Sequence, residues 1–393
     1  VILRQTKALF IDAYRELNAK KLFWISIGIS GLVVFSFALL GLRDGNFTIV
    51  GWRTSISLEA VSFLGFSLAD IYKILFLQFG VNFWLAWVAT ILGLVSTAGL
   101  IPEFISSGSI DLALSKPIGR VRLYLTKFAT GLTFTTLQVA VFVTMSFLVI
   151  GFRAGSWEPA LFLAIPLVVL LFSYLYSICA LLGLLTRSTI ASLMLTLLVW
   201  FSIFIFNAAD AALIGISAQA KTQTQSLDRA LKRVDQRIAD AKGEGEGGVL
   251  AQARNVSRLS NLEETRDEVA QELDDAQSSI VSLDRWHSRI VAAKTMLPKT
   301  TETVQLTRRA LQRYADLPDL TQIGQDDGFT RKRTFGEGDA KVVVDTRIGG
   351  DEPDRQAQIV FDSRSLGWVL GTSLGFEAVM LALGCFIFTR RDF

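Results

Sequence analysis

Side chains able to do chemistry are few in this chain and widely spaced. One histidine, His287, and two cysteines, Cys179 and Cys385, stand among 393 residues. Both cysteines fall inside apolar runs, so they build neither a disulfide framework nor a CxxC metal site. One histidine without clustered cysteines argues against zinc, and no metal-ligating set is expected. The chain contains no Gly-Lys dipeptide, so the phosphate-cradling GxxxxGK[ST] loop is absent, as is HExxH. His287 is a general base in principle, but on a charged helix it fits a surface or seam residue. No catalytic residue is expected, and the chain is read as a non-enzymatic subunit. Glu377 differs, because it lies midway along an apolar run. An ionisable group there marks a functional site by default. It either lines a pathway or interface, or pairs with a polar group such as Gln138 or Asn207.

A second informative stretch is PEFISSGSIDLALSKPIGRVRLYLTK, residues 102–127. Pro102 and Glu103 open it where the chain leaves an apolar run. A short amphipathic element bearing Ile105, Ile110, Leu112 and Leu114 follows, and Pro117 breaks it. Arg120, Arg122 and Lys127 then anchor the next run at the headgroups. The segment is longer than a connector needs to be, and it suits docking into a soluble partner.

The elements that position these residues are membrane spans. The chain is 51% hydrophobic and only 19% charged, against about a quarter in soluble domains. Six apolar runs are long enough to cross a bilayer: 22–42, 79–101, 128–151, 160–185, 189–213 and 366–389. No cleavable leader is evident, and the first run is read as an anchor. With both termini in the cytoplasm, the inside segments carry twelve Lys and Arg and the short outside segments carry four. That bias puts residues 215–365 outside. The stretch Ile56–Phe79, interrupted by Glu59, Asp70 and Lys73, is expected to be an external helix lying at the interface. A seventh span there would reverse the charge bias.

The outer insert is the polar part of the chain. Residues 215–364 hold 48 of the 75 charged side chains. Leu227, Leu231, Val234, Ile238 and Ala241 recur at the 4-3 spacing of a coiled-coil seam. The glycine-rich 243–248 offers a tip. Leu259, Leu262, Val269, Leu273, Ala276, Ile280, Leu283 and Ile290 continue the seam, which Arg266 and His287 interrupt. An antiparallel hairpin over 217–294 is the simplest fold, and it suits a structural spacer or partner-binding rod. A base over 295–365 is expected to hold a short helix at 300–315, loop at 321–339, and β-rich runs at 341–346 and 356–361. The fold class is therefore an all-α polytopic membrane protein of six transmembrane helices, with an extracytoplasmic helical-hairpin coiled coil and a small strand-rich segment.

In order, Glu103, Gly108, Ser109, Asp111, Leu112, Leu114, Pro117, Arg120 and Lys127 resemble the cytoplasmic loop of the ABC type-2 permease family, the membrane subunits of type-2 ABC transporters. Phe104 stands where that family usually has a basic residue. The ending Thr-Arg-Arg-Asp-Phe is similar to the family's cytoplasmic terminus. So is an amphipathic segment over 1–21, with Leu3, Phe10, Ala13, Tyr14 and Leu17 opposite Arg4 and Arg15. The resemblance covers 1–214 and 366–393, and the insert departs from it. It implies two permease copies or homologues and two cytoplasmic ATPase subunits carrying ATP and Mg, with no cofactor on this chain. It implies a bacterial inner-membrane location, with residues 103–120 as the coupling helix. No nucleic-acid partner is expected. Three functions remain: export of an unidentified substrate, mechanotransmission through the arm to an extracytoplasmic protein on 217–294, and a membrane-anchored scaffold.

Overall fold

The computed structural model describes residues 11, 15, 21–43, 46–49, 52–57, 68–106, 119–243, 249–295, 297–314, 329–336, 340–348 and 365–391. Six helices among them are long and apolar enough to cross a membrane: Lys21–Leu39, Tyr72–Ser106, Arg120–Arg153, Pro159–Thr186, Thr189–Gly243 and Leu366–Arg390. They are numbered one to six below. Their length and composition make this a membrane-embedded protein, matching the six runs read from the sequence. The amphipathic segment expected over 1–21 lies almost wholly outside the described residues, as does the 244–248 tip.

The chain divides into two compact units. The first comprises 1–205, 295–320 and 365–393. Helices two and four are its centre, and their spanning windows are 72% buried. Helices one and six are mostly exposed on the single chain, as lipid-facing helices are. Aromatic packing fills the interior: Phe172 and Phe128 both stack on Tyr176, and Phe142 stacks on Trp84 and Phe76. Glycines admit these rings. A Cβ at Gly131 would strike Tyr176, and one at Gly384 would strike Tyr124. Such close approach drives helix association where lipid removes the hydrophobic incentive.

Three departures from the sequence reading occur here. Residues 40–57 hold an antiparallel three-stranded sheet, β1 (Leu40–Arg43), β2 (Asn46–Ile49) and β3 (Trp52–Ser57), so Ile56 lies in a strand. No separate interfacial helix occupies 68–78: Leu68–Leu75 runs directly into the π-wound Phe76–Ala89 of helix two. Of the three charges that argued against this, Glu59 lies outside the described residues, and Lys73 is neutralised by Glu158 at 2.8 Å. Lastly, the short helix Thr300–Tyr314 falls in the first unit, packed on helices two, four and six. Its buried Leu311 joins the cluster of Tyr72, Phe76, Leu161 and Val168.

The second unit comprises 206–294 and 321–364. Helix five runs unbroken from Thr189 to Gly243, 55 residues or about 80 Å. The return helix Val249–Thr295 runs antiparallel to it, as ion pairs between Lys242 and Glu263 and between Arg266 and Asp235 fix. Leu227, Ala230, Val234, Ile238 and Ala241 pack on Leu262 and Val269. A β-hairpin, β4 (Phe329–Phe335) with β5 (Val342–Ile348), adds Phe335, Val342 and Val344 to this core. β4 falls inside 321–339, which was expected to be loop. Its sequence FTRKRTF has apolar residues only at its two ends, Phe329 and Phe335, so no alternation marks it as a strand. The β-rich run at 356–361 lies outside the described residues.

Candidate functional site

Two ends of the first unit carry distinct polar contacts. At one end, Arg120 opens helix three and donates from Nη1 to the carbonyls of Thr389 at 3.1 Å and Arg391 at 2.9 Å. Arg391 in turn donates to the Leu184 carbonyl. Helix four ends there because Arg187 adopts a left-handed backbone, φ 53°. A guanidinium on terminal carbonyls satisfies groups that the helix leaves open. Lys127 sits 4.7 Å over the Phe104 ring. Of the coupling residues, Glu103 is exposed in the short helix Pro102–Ser106. Gly108, Ser109, Asp111, Leu112, Leu114 and Pro117 lie outside the described residues.

At the other end, Glu158 accepts from Lys73 and from the Ser156 hydroxyl at 2.9 Å. Burial alone would raise its pKa. The Lys73 and Ser156 hydrogen bonds, with the Lys73 charge, outweigh burial and hold the carboxyl below its ordinary value.

Between the ends lies a polar seam. Glu377, 8% exposed, faces helix four, where the Ser173 hydroxyl lies 2.8 Å from its Oε2 and 2.9 Å from the Leu170 carbonyl. One turn before it, Ser373 accepts from the Lys299 backbone N–H at 2.9 Å. Lys299 is wholly buried ahead of the short helix, its Nζ on the Leu297 carbonyl and 5.0 Å over the Trp368 ring. The structure thus brings together Glu377, Ser173, Ser373 and Lys299. Gln138 is buried in the same unit with neither amide atom hydrogen-bonded, so it is not the partner of Glu377. Asn207, likewise buried with an unbonded amide, belongs to the second unit. Only Glu377 of these was legible in the sequence. Ser173 and Ser373 look like ordinary small residues of apolar helices, and Lys299 follows a proline in a polar stretch.

The second unit holds a buried acid that the sequence reading passed over. Asp210, fully buried, accepts from Lys294 at 2.8 Å and lies 3.1 Å from Nε2 of His287. His287 and Lys294 are seven residues apart, on one face of the return helix. Arg266 holds Asp235 at 2.9 Å, and that hydrogen bond raises its pKa further. Both residues that interrupt the apolar seam therefore meet carboxylates across it. The available signal was Asp210 itself, a charge inside the run 189–213.

No family model, curated protein or solved structure matches the chain.

Proposed function

We propose that this chain is the membrane subunit of a type-2 ABC system, and that ATP-driven motion leaves it through helix five. The observation that carries this reading is the unbroken helix from Thr189 to Gly243. Residues 214–217, where the apolar run gives way to polar sequence, could have been a joint. Every turn there is instead helical, and Ser217 donates to the Leu213 carbonyl at 2.6 Å. A helix without a break passes a displacement along its axis, whereas a loop absorbs it. Both termini and residues 102–127 are then cytoplasmic, with residues 215–365 extracytoplasmic in the bacterial inner membrane. Two ATPase subunits holding ATP and Mg engage the loop from Glu103 to Arg120, and a second permease copy completes the assembly. A coiled-coil arm meets an extracytoplasmic protein.

A second reading, export, is favoured by one feature, the buried Glu377–Ser173 pair between helices four and six. A membrane scaffold leaves the coupling loop without a role.

The tagged chain is purified in detergent from its own cells, and its partners and ATPase activity are measured. Transmission and export both expect a co-purifying P-loop ATPase with vanadate-sensitive turnover. A chain that arrives alone and hydrolyses nothing supports the scaffold. A flexible Gly-Ser insertion after Gly215 separates the first two. Transmission expects function to be lost with ATPase association intact, and retained function overturns it.

A further inference from the structure

The base of the return helix carries a face that fits lipid phosphate. Its depth follows from the Asp210 contacts. His287 and Lys294 both meet Asp210, so the last two turns of the return helix lie beside residues 207–213 of helix five. Those residues close the apolar run, and the buried Asn207, Asp210, Ile214 and Ser217 form the inner face of that contact. At 3.6 residues per turn, Arg285 and Arg289 point away from His287 and Lys294, and Trp286 flanks them. All three are exposed, Trp286 by 59%, and Arg289 stacks 5.3 Å from the Trp286 ring. Asp284 lies on the opposite flank. Ala292 and Ala293, also exposed, continue the face toward the helix end.

Charge is polarised along the same outer stripe. Arg285 and Arg289 stand at the base, while Glu264, Asp267, Asp274 and Asp275 occupy it farther toward the tip. Anionic headgroups would attract the first set and repel the second. Tryptophan and arginine at the end of an apolar run are an interfacial pair, the ring in the headgroup layer and the guanidinium on phosphate.

We propose that Arg285, Trp286 and Arg289 form a lipid-phosphate contact that seats the base of the return helix in the headgroup layer. This inference rests on membrane embedding and not on any reading of ATP-driven function.

The test uses the full chain in vesicles of phosphatidylcholine, with and without phosphatidylglycerol. Cys179 and Cys385 are replaced by alanine, and a fluorophore is attached at Trp286→Cys or, as control, at Glu268→Cys. The control lies about 27 Å farther along the helix. Quenching by headgroup-labelled lipid is expected to be several-fold stronger at 286 than at 268, to rise with phosphatidylglycerol, and to fall in Arg285→Gln/Arg289→Gln. Equal quenching at both positions, with full access of aqueous iodide at 286, overturns the proposal. So does protection that is independent of lipid composition and lost on diluting the protein, since that identifies a second copy as the occupant. Circular dichroism and detergent Tm of the arginine variant show whether it has folded. If it has not, the lipid-composition dependence of the helix labelled at 286 with Arg285 and Arg289 intact decides.

Discussion

Lys73 shows how one charge misleads a sequence and how its partner corrects it. Counted alone, a charge at the centre of a bilayer helix costs about 2.5–3.5 kcal/mol on insertion scales, and Lys73, with Glu59 and Asp70, argued for an interfacial helix. Glu158 lies 85 residues later, and no pattern in the sequence links the two. The side chains are 8% and 21% exposed, between the regime of surface pairs, worth about 0–1 kcal/mol, and that of buried pairs, where breaking one costs about 3–5 kcal/mol. Lys73→Met is therefore expected to cost about 1–3 kcal/mol, measured as a lower detergent Tm. The pH dependence has a definite sign. The folded Glu158 pKa lies below its ordinary 4.5, so its contribution is complete above that value and is lost as pH falls through the folded one. Acid destabilisation just below pH 4.5 should be shallower in Lys73→Met than in the unmutated chain. Identical acid profiles would mean that the pair contributes nothing. Asp210 teaches the converse: its charge was visible inside the run, but its meaning depended on a helix that returns beside it.

At the level of elements, hydrophobic period and length were legible wherever one rule dominated. The six runs became six helices, and the short helix expected over 300–315 is Thr300–Tyr314. The sequence was silent where two rules compete. β4 carries Arg331, Lys332 and Arg333 between its two terminal phenylalanines and shows no alternation, and β1–β3 are too short to stand out beside the apolar runs that flank them. Turn chemistry supplies one check. Gly336 leaves β4 at φ 70°, and a Cβ there would strike Thr265 on the return helix. Gly336→Ala should destabilise by about 1–3 kcal/mol, adding backbone strain to overpacking. Loss of protection in β4 and β5 by hydrogen exchange would report it. Gly384→Ala tests close packing in the other unit. Its Cβ would strike the fully buried Tyr124, so about 1–3 kcal/mol and a lower detergent Tm are expected. An unchanged Tm would mean that helices three and six move apart without cost. Gly375 on the same helix has no atom within 4 Å of a Cβ, so Gly375→Ala serves as the control.

At the scale of the molecule, contacts sort by end in the first unit. Helices two and four carry Lys73 and Glu158 at one end. At the other, Arg120, Arg391 and the Leu184 carbonyl join the start of helix three, the chain after helix six and the end of helix four. Successive helices that alternate in direction require this arrangement, and it agrees with the even topology that the Lys and Arg count favoured. The second unit stands on its own core of Leu227, Val234, Val269, Phe335 and Val342. Its removal is therefore expected to leave the first unit folded. Replacing 222–294 and 321–364 together by short Gly-Ser linkers keeps Thr300–Tyr314, whose buried Leu306, Thr307 and Leu311 belong to the first unit. The two segments must go together, because deleting only the helices would expose Phe335 and Val342 on the β-hairpin. The expected product inserts, retains its detergent Tm to within a few degrees, and keeps any ATPase that the full chain binds. Transmission through helix five then requires biological function to vanish while ATP turnover persists. Export through the first unit requires transport to survive. A product that fails to insert would mean that the arm is needed for folding, and would refute the independence of the two units on which both expectations depend.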